Sequence, residues 1–427
     1  MSASLVIVGL GYVGLPLAQA ACTSDLKVTG LDLNQEIVSG LNSGVSHIDD
    51  LSDADIQTML SQNFSATTDS SCIAEADVVV VCVPTPLTEE GGPDLGAVIG
   101  ATKTIAKNIH PGMMVILEST TYPGTTDEVV RPILEESGLL AGKDFDLVFS
   151  PERIDPGNPV YGMKNTPKVV GGDTAQSTAR GVAFYEKFVD TVVPTSGTRE
   201  AEMAKLLENT YRHVNIALMN ELVEFCNLLG IDLWDSIAAA SSKPFGYQAF
   251  YPGPGVGGHC IPIDPNYLSH HVKAVLGRPF RFVELAQEIN SGMPHYVRRR
   301  IQDLLNEQGK AIKGSKVLLL GVTYKPNIAD QRESPVRPLA QELLSLGASV
   351  SYVDPYVKTW NVDSEHGDHP GDRLLNQEVD VAQAVSNSDI VVLLQNHKEF
   401  DLEHIAASGK TILDTRGIMS GSNISRL

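Results

Sequence analysis

The chain contains a glycine-rich segment, Gly9-Leu10-Gly11-Tyr12-Val13-Gly14, that few folds can accommodate. The segment directly follows a short apolar run at residues 5–8 and opens an apolar stretch with helical spacing. In a strand, turn and helix of this kind, the glycines permit a tight turn and let a pyrophosphate approach the backbone at the start of the helix. The sequence therefore predicts a dinucleotide site in an α/β domain.

An acidic residue, Asp32, ends the next apolar run, where its carboxylate can accept hydrogen bonds from the adenosine ribose. The same carboxylate would repel a 2′-phosphate, and no Lys or Arg stands at positions 33–35 to neutralise one. NAD is therefore the predicted cofactor rather than NADP. The residues predicted for this part of the cofactor site are Gly9, Gly11, Tyr12, Val13, Gly14 and Asp32.

Short runs of β-branched residues alternate with helical patterns in the first half of the chain, as is typical of a doubly wound parallel sheet. Residues 199–229 then read as one long helix, and the strand rhythm returns near Lys316. We expect an α/β fold with two Rossmann-like doubly wound parallel sheets, joined by a long central helix and a helical domain. The predicted domains are residues 1–198, 199–308 and 309–427.

The two ends of the chain resemble each other. The run ending in Gly9 corresponds to one ending in Gly321, and the run ending in Asp32 corresponds to one ending in Asp354. Either the two sheets are related, or any two parallel α/β units would look alike at this level. Both alternatives predict the same architecture.

Charge and cysteine usage limit the possible partners. Lys and Arg number 32 against 52 Asp and Glu, a net charge of -20 that argues against nucleic acid or an anionic membrane as partner. The five cysteines are scattered without metal-ligand spacing, so we expect no disulfide framework, no metal site and a location in the reducing cytoplasm. No segment of the sequence is long and apolar enough to span a membrane.

Cys260 is the strongest candidate for chemistry. Most lone cysteines are inert packing, but Gly257 and Gly258 leave room for a ligand to approach this thiol. Lys205 and Asn209 lie one helical turn apart, where an ammonium and an amide can stabilise an oxyanion; the same spacing also suits an ordinary solvated helix face. The adjacent His259 is expected to point away from Cys260, so we predict no Cys/His dyad.

Together these motifs resemble the UDP-glucose/GDP-mannose dehydrogenase family over nearly the whole chain. The resemblance implies an N-terminal NAD-binding domain, a central helical dimerisation domain with the cysteine loop, a C-terminal UDP-binding domain, and hence a homodimer. The segments that match the family, in its order, are Gly9 to Gly14, Val83-Pro84-Thr85-Pro86, Ser119-Thr120-Thr121-Tyr122-Pro123, Lys205 with Asn209, Gly257-Gly258-His259-Cys260 with Asp264, and Lys325 followed by Arg332-Glu333-Ser334.

The resemblance also implies roles for individual residues in two successive hydride transfers from C6 of a nucleotide sugar, with Cys260 carrying the intermediate covalently. The implied catalytic residues are Cys260, Lys205, Asn209, Asp264, Thr121 and Glu152. Further contacts to NAD would come from Pro84, Thr85, Thr121 and Arg332, although Arg332 is equally suited to a surface ion pair. The implied substrate contacts are Glu152, Arg153, Lys205, Asn209, Lys243, Phe250, Tyr251, Gly257, His259 and Lys325.

The segments at residues 150–157 and 243–246 resemble the branch of the family that oxidises UDP-N-acetylhexosamines, and those at residues 251–255 and 261–265 resemble its UDP-N-acetylglucosamine members. UDP-N-acetylglucosamine is the predicted substrate, with UDP-N-acetylmannosamine as the near alternative and UDP-glucose as the next. The arginine that UDP-glucose enzymes insert from a partner subunit has no clear counterpart, and Lys243 is the candidate substitute. Two alternatives come from other classes: a thiol hydrolase, which lacks a base for Cys260, and a non-catalytic NAD sensor, which would not need Lys205 and Asn209.

Overall fold

The computed structural model describes residues 3–24, 26–48, 50–88, 92–155, 158, 160–258, 261–364 and 371–427, and the backbone of residue 260. The chain forms two compact units. The first comprises Met1–Glu208 and Asn266–Arg278, and the second comprises Asn209–Pro265 and Pro279–Leu427.

The first unit is built on a sheet with the strand order β3-β2-β1-β4-β5-β6-β7-β8, in which the neighbours are parallel except for the antiparallel pair β6 and β7. Its strands are β1 (Ser4–Val8), β2 (Lys27–Leu31), β3 (Phe64–Thr67), β4 (Val78–Val81), β5 (Met114–Leu117), β6 (Asp146–Phe149), β7 (Lys168–Gly172) and β8 (Val192–Pro194).

Continuous apolar runs place β1, β4 and β5 in the middle of this sheet, because both faces of these strands are covered. Alternate side chains enter two separate cores: Leu5 and Val80 pack on one face, and Val6 and Val79 pack on the other. The helices of the unit cover these faces. They are α1 (Gly14–Cys22), α2 (Gln35–Asn42), α3 (Asp53–Ser61), the 3₁₀ helix Ser70–Glu75, α4 (Gly96–Ala106), the π-helical turn Thr126–Val130, α5 (Arg131–Glu135) and α6 (Ala175–Tyr185).

A 32-residue helix, α7 (Thr198–Leu229), follows where the sequence predicts one. Three further helices complete the helical region: α8 (Leu233–Ser241), α9 (Cys260–Leu276) and α10 (Arg281–Glu307). The described residues between α8 and α9 form neither helix nor strand, as the glycines and prolines of that segment predict.

The second unit contains a parallel sheet with the order β10-β9-β13-β14-β15 and a small antiparallel pair, β11 with β12. Its elements are β9 (Lys316–Leu320), α11 (Val336–Ser345), β10 (Ser349–Val353), β11 (Thr359–Asn361), β12 (Leu374–Asn376), α12 (Val381–Asn387), β13 (Ile390–Leu393), α13 (Leu402–Ala407), β14 (Thr411–Asp414) and β15 (Ile424–Arg426). The predicted fold class, two Rossmann-like sheets with a long helix and a helical region, is confirmed.

The two units repeat one local structure after their first strands. Gly9 and Gly321 both have positive φ angles, 93° and 83°. The N–H of each glycine donates to the carbonyl of the last residue of the neighbouring strand, and both hydrogen bonds are 2.8 Å long. The next backbone N–H then donates to the following carboxylate, Asp32 in the first unit and Asp354 in the second. The similarity between the two ends of the sequence therefore extends to individual hydrogen bonds.

Within the described parts of the chain, no helix has both the length and the apolar character that crossing a membrane requires.

Candidate active site

The glycine segment forms the turn between β1 and α1, as the sequence predicts. A Cβ on Gly14 would lie 1.9 Å from the Gly9 carbonyl oxygen, and a Cβ on Gly9 would lie 2.7 Å from the Cys82 oxygen, so neither position can hold a larger residue. A Cβ on Gly11 would meet no described atom within 4 Å, which leaves open space beside the turn. The turn thus has the geometry that lets a pyrophosphate reach the start of α1.

Asp32 is fixed beside this turn. One carboxylate oxygen accepts from the Leu10 N–H at 2.9 Å, and the other accepts from the Asn34 N–H at 2.9 Å. A carboxylate oxygen can accept more than one hydrogen bond, so both remain able to accept from ribose hydroxyls. The position of Asp32 agrees with the role predicted for it in NAD binding.

We expect the protein to use NAD about 10²-fold or more efficiently than NADP, because Asp32 would repel a 2′-phosphate and positions 33–35 hold no Lys or Arg to neutralise it. The ratio of kcat/KM for the two cofactors measures this preference. The Asp32→Asn variant removes the charge and should narrow the ratio. Comparable kcat/KM values for NAD and NADP in the wild-type protein would contradict the role assigned to Asp32.

Two loops beyond the turn carry the other predicted cofactor contacts of the first unit. Thr85, which follows Pro84, is buried and its hydroxyl donates to the Thr120 carbonyl at 2.8 Å, so this side chain joins the two loops. Thr121 is 1% exposed, and its hydroxyl has no hydrogen-bond partner among the described residues. A buried polar group of this kind is suited to bind a ligand or a water.

Glu152 and Lys205 meet in the first unit. Glu152 follows β6, and its backbone carbonyl accepts a hydrogen bond from Lys205 Nζ at 2.6 Å. Its side chain accepts from the N–H groups of Arg153 and Ile154 at 2.7 and 2.6 Å. The structure thus brings together two residues that the sequence predicts for catalysis, whereas the Arg153 guanidinium is paired with Glu208 at 2.6 Å.

Sequence reasoning missed Glu202, which lies one helical turn before Lys205 on α7. Its buried carboxylate accepts from the N–H of Gly124 at 2.5 Å and from the N–H and hydroxyl of Thr126 at 2.9 and 2.7 Å. Burial raises the pKa of Glu202 to about 7, although these three donors oppose the rise. Glu202 therefore anchors the turn that follows Thr121, and only the three-dimensional packing reveals this.

Asn209 and Asp264 meet in the second unit. The Asn209 amide on α7 donates to the Asp264 carboxylate on α9 at 2.7 Å, and both side chains are buried. Asp264 lies one helical turn after Cys260, the residue at which α9 begins. His259 and the side chain of Cys260 lie outside the described residues.

The glycines before Cys260 pack against the segments that carry Lys325 and Arg332. A Cβ on Gly257 would lie 2.6 Å from Tyr324 Cβ, and the Gly258 N–H donates to the Arg332 carbonyl at 2.9 Å. The side chain of Arg332 pairs with Asp330 at 2.6 Å, which is the surface ion pair that the sequence left as an alternative. A contact from Arg332 to the cofactor stays a prediction.

The other predicted substrate residues of the second unit lie at its surface or half-buried. The ammonium of Lys243 lies 4.9 Å from the centre of the Phe245 ring, and Tyr251 is exposed. Phe250 packs edge-on against Tyr211, with ring centres 5.7 Å apart. Their contacts to substrate stay predictions.

A buried polar network, which the sequence does not reveal, supports the segment between α8 and α9 at Gly253. Asn220 accepts from the Gly253 N–H at 2.9 Å and donates to Asn290 at 2.9 Å, and Asn290 in turn lies 3.3 Å from Nδ1 of His213. Burial lowers the pKa of His213 to about 4, so the ring is neutral near pH 7. The network fixes the backbone of the loop that leads to Cys260.

Asp354 occupies in the second unit the position that Asp32 occupies in the first, but its carboxylate is paired inside the protein. Its carboxylate is completely buried and lies 3.1 Å from Nε2 of His397, whose Nδ1 accepts from the Asn327 N–H at 3.0 Å. Asp32, by contrast, is only partly buried. The acidic residue of the second turn is thus used within the protein, where it holds the loop that follows Lys325.

Among the described residues, no three His, Cys, Asp or Glu side chains group together as metal ligands would.

Three family models match successive parts of the chain. They are described as the NAD binding domain, the central domain and the UDP binding domain of the UDP-glucose/GDP-mannose dehydrogenase family, and they match residues 3–189, 199–292 and 318–421.

Full-length relatives agree with these matches. The chain is 34% identical to an NDP-N-acetyl-D-galactosaminuronic acid dehydrogenase of Ralstonia solanacearum, over 99% of this chain and 97% of the relative. It is 32% identical to a UDP-N-acetyl-D-mannosamine dehydrogenase of Salmonella typhi, over 97% of this chain and 99% of the relative.

Among solved structures, the chain resembles a UDP-D-ManNAc dehydrogenase from Pyrococcus horikoshii, with a TM-score of 0.87 and 30% identity over 99% of this chain and 98% of that chain. The matches extend over the cofactor turn, the long helix and the second sheet. The chain therefore belongs to the UDP-glucose/GDP-mannose dehydrogenase family, and it is an NAD-dependent UDP-sugar dehydrogenase.

Proposed function

We propose that the protein oxidises C6 of a UDP-N-acetylhexosamine to the carboxylate in two steps, with Cys260 as the covalent nucleophile. The observation that carries this proposal is the buried hydrogen bond from Asn209 on α7 to Asp264, which lies one helical turn beyond Cys260 on α9. The pair fixes the first turns of α9, and the start of a helix favours negative charge such as that of a thiolate. Both features favour covalent catalysis by a cysteine at this position.

The protein residues would divide the chemistry as follows. NAD, when bound, would supply the hydride acceptor for each of the two oxidations at C6. A water hydrogen-bonded to Lys205 or Asp264 takes the proton of the C6 hydroxyl in the first step. The Cys260 thiolate then forms a C–S bond to the C6 aldehyde, and Lys205 and Asn209 stabilise the oxyanion of the thiohemiacetal.

The second oxidation converts the thiohemiacetal into a thioester. Water, oriented by Thr121 and Glu152, adds to the thioester carbonyl, and the C–S bond breaks to release the acid and the thiolate. The overall reaction consumes one sugar nucleotide, two NAD and one water, and it yields the acid and two NADH with release of protons. Covalent attachment prevents the aldehyde from leaving between the two oxidations.

The identity of the sugar is a finer part of the proposal. The segments at residues 251–255 and 261–265 favour UDP-N-acetylglucosamine, whereas several relatives are named for UDP-N-acetyl-D-mannosamine. Both substrates carry an acetamido group. We therefore propose the N-acetylhexosamine class, and we treat the configuration of the sugar ring as the property to be measured.

A panel of UDP-sugars with NAD tests this proposal. One N-acetylhexosamine should be oxidised about 10²-fold more efficiently than UDP-glucose, because polar groups that bind the acetamido group stay unpaired without it. Two NADH should form per sugar consumed. Equal efficiency with UDP-glucose would contradict the assigned branch, and one NADH with free aldehyde would contradict the covalent route. Binding of NAD without oxidation of any sugar would instead support a sensor.

The predicted homodimer has support from α7. Large apolar side chains recur along this helix and are exposed in the single chain: Met203, Leu207, Tyr211, Leu218 and Phe225. Their spacing of four or seven positions places them along one side of the helix, as in helix pairs between subunits. We propose that a second copy of the chain covers this stripe. Sedimentation at twice the mass of 45.9 kDa is expected, and a monomer at micromolar concentration would contradict the dimer.

A further inference from the structure

A cluster of buried charges lies behind Glu152 in the first unit. Lys168, the first residue of β7, places its ammonium 3.0 Å from the carboxylate of Glu118 and 3.2 Å from that of Glu152. The side chains of Lys168, Glu118 and Glu152 are 4%, 0% and 13% exposed. The hydroxyl of Tyr185 also donates to Glu118. Because charges are costly to bury, such a cluster persists only when its members are paired.

Every oxygen of Glu152 is engaged by a neighbouring group. One carboxylate oxygen faces Lys168, and the other accepts from the N–H groups of Arg153 and Ile154. The backbone oxygen accepts from Lys205. Two lysines therefore hold this residue, Lys205 through the main chain and Lys168 through the side chain.

The surrounding charges also determine the protonation of the cluster. Burial alone raises the pKa of Glu152, but the charge of Lys168, the hydrogen bond from Ile154 and the charge of Lys205 together bring this pKa below its ordinary value. Burial lowers the pKa of Lys168, and the charges of Glu118 and Glu152 more than compensate and raise it. Lys168 thus stays an ammonium ion and Glu152 stays a carboxylate near pH 7.

We propose that Lys168 is a positioning residue, which fixes the Glu152 carboxylate from inside the protein while Glu118 and Tyr185 fix Lys168. This inference rests on the proposed function, in which Glu152 orients the water that hydrolyses the Cys260 thioester. Lys168 itself contacts neither the sugar nor NAD in this proposal. Its contribution is to hold one geometry and one charge state of Glu152, and small displacements of an orienting group can slow a reaction by about 10²-fold.

The test compares Lys168→Met with Lys168→Arg. Lys168→Met keeps much of the side-chain volume and removes the ammonium; kcat should fall by about 10²-fold, while KM for NAD and for the sugar changes by less than about threefold. Lys168→Arg retains a cation and should recover most of kcat. The Lys168→Met protein should also accumulate the sugar nucleotide attached at Cys260, which intact-mass measurement detects.

The pH profile separates positioning from a general effect on folding. Without Lys168 the pKa of Glu152 rises, so the acid limb of kcat should move to higher pH in Lys168→Met. Arg180→Met is the matched control, because Arg180 pairs with buried Asp146 in the same unit and has no assigned part in the reaction. This control should lower thermal stability and leave kcat and its pH profile unchanged.

A failure of Lys168→Met to fold would be shown by loss of NAD binding, and its cause would be buried Glu118, which then has no cation beside it. In that case the Glu118→Gln/Lys168→Met double variant is tested, since it also removes the charge of Glu118. The double variant should have the same low kcat. Wild-type kcat in either variant, with an unshifted acid limb, would overturn the inference. Failure of the proposed function is distinguishable, because either the wild-type protein would then oxidise no UDP-sugar to an acid or Cys260→Ser would keep full turnover.

Discussion

Replacing Cys260 by serine should reduce formation of the acid by about 10³-fold or more while NAD and the UDP-sugar still bind. A hydroxyl has nearly the size of a thiol but is a far weaker nucleophile near pH 7, so the first aldehyde would have no efficient covalent acceptor. It should stay bound or return to the alcohol. NADH absorbance and direct analysis of the acid measure the loss.

Cys226→Ser is the matched control for this change. Cys226 is a free, half-buried cysteine near the end of α7, and its replacement should leave kcat unchanged. Full turnover by Cys260→Ser, with cofactor and sugar binding intact, would show that the thiol is only packing. Both oxidations would then proceed through a hydrated aldehyde.

The second large effect is expected at Lys205. This lysine is buried and donates to the Glu152 carbonyl. Lys205→Ala therefore removes three things at once: the donor that holds the proton-accepting water, a donor to the oxyanion and a support for Glu152. Loss of either chemical role alone is expected to lower kcat by about 10²–10⁴-fold. Steady-state kinetics on a variant that still binds NAD measures the effect.

Lys103→Ala provides the comparison, since Lys103 is an exposed residue of α4 with no part in the proposed reaction. It should keep the wild-type kcat. A Lys205→Ala protein that folds and retains kcat within about twofold would exclude Lys205 from both the proton transfer and the oxyanion site.

The cofactor turn could be predicted because its signals are local. Gly9 and Gly14 lie in one strand, turn and helix unit whose close contacts require glycine, and Asp32 follows the next strand, where a carboxylate suits the ribose of NAD. The long helix α7 was equally predictable, because it contains no proline or glycine and has a continuous helical pattern. Strands β6, β7 and β8 have weaker local signals, because β6 begins with Asp146, β7 ends in two glycines and β8 ends in Pro194, and these residue types are depleted in strands.

The support around the site could not be predicted from the sequence. Glu118, Lys168 and Tyr185 are far apart in the chain, and nothing in their local sequence distinguishes them from surface residues until the sheet brings them together. The ion pairs of Arg153 with Glu208 and of Arg332 with Asp330 are likewise not visible in the sequence, and the ligand contacts of both arginines stay predictions. Long side chains have several possible partners, and only the packing selects one.

The covalent intermediate is the central claim, and intact-mass measurement of a Glu152→Gln protein tests it most directly. Glutamine keeps the shape of the side chain but is a poor acceptor for a water proton, so hydrolysis of the thioester should slow more than either oxidation. After mixing with NAD and the preferred UDP-sugar, the protein should release a burst of two NADH per site. At the same time its mass should increase by that of the sugar-nucleotide acyl group, located on the Cys260 peptide and absent from Glu152→Gln/Cys260→Ser. The same burst from a protein of unchanged mass would contradict the covalent route.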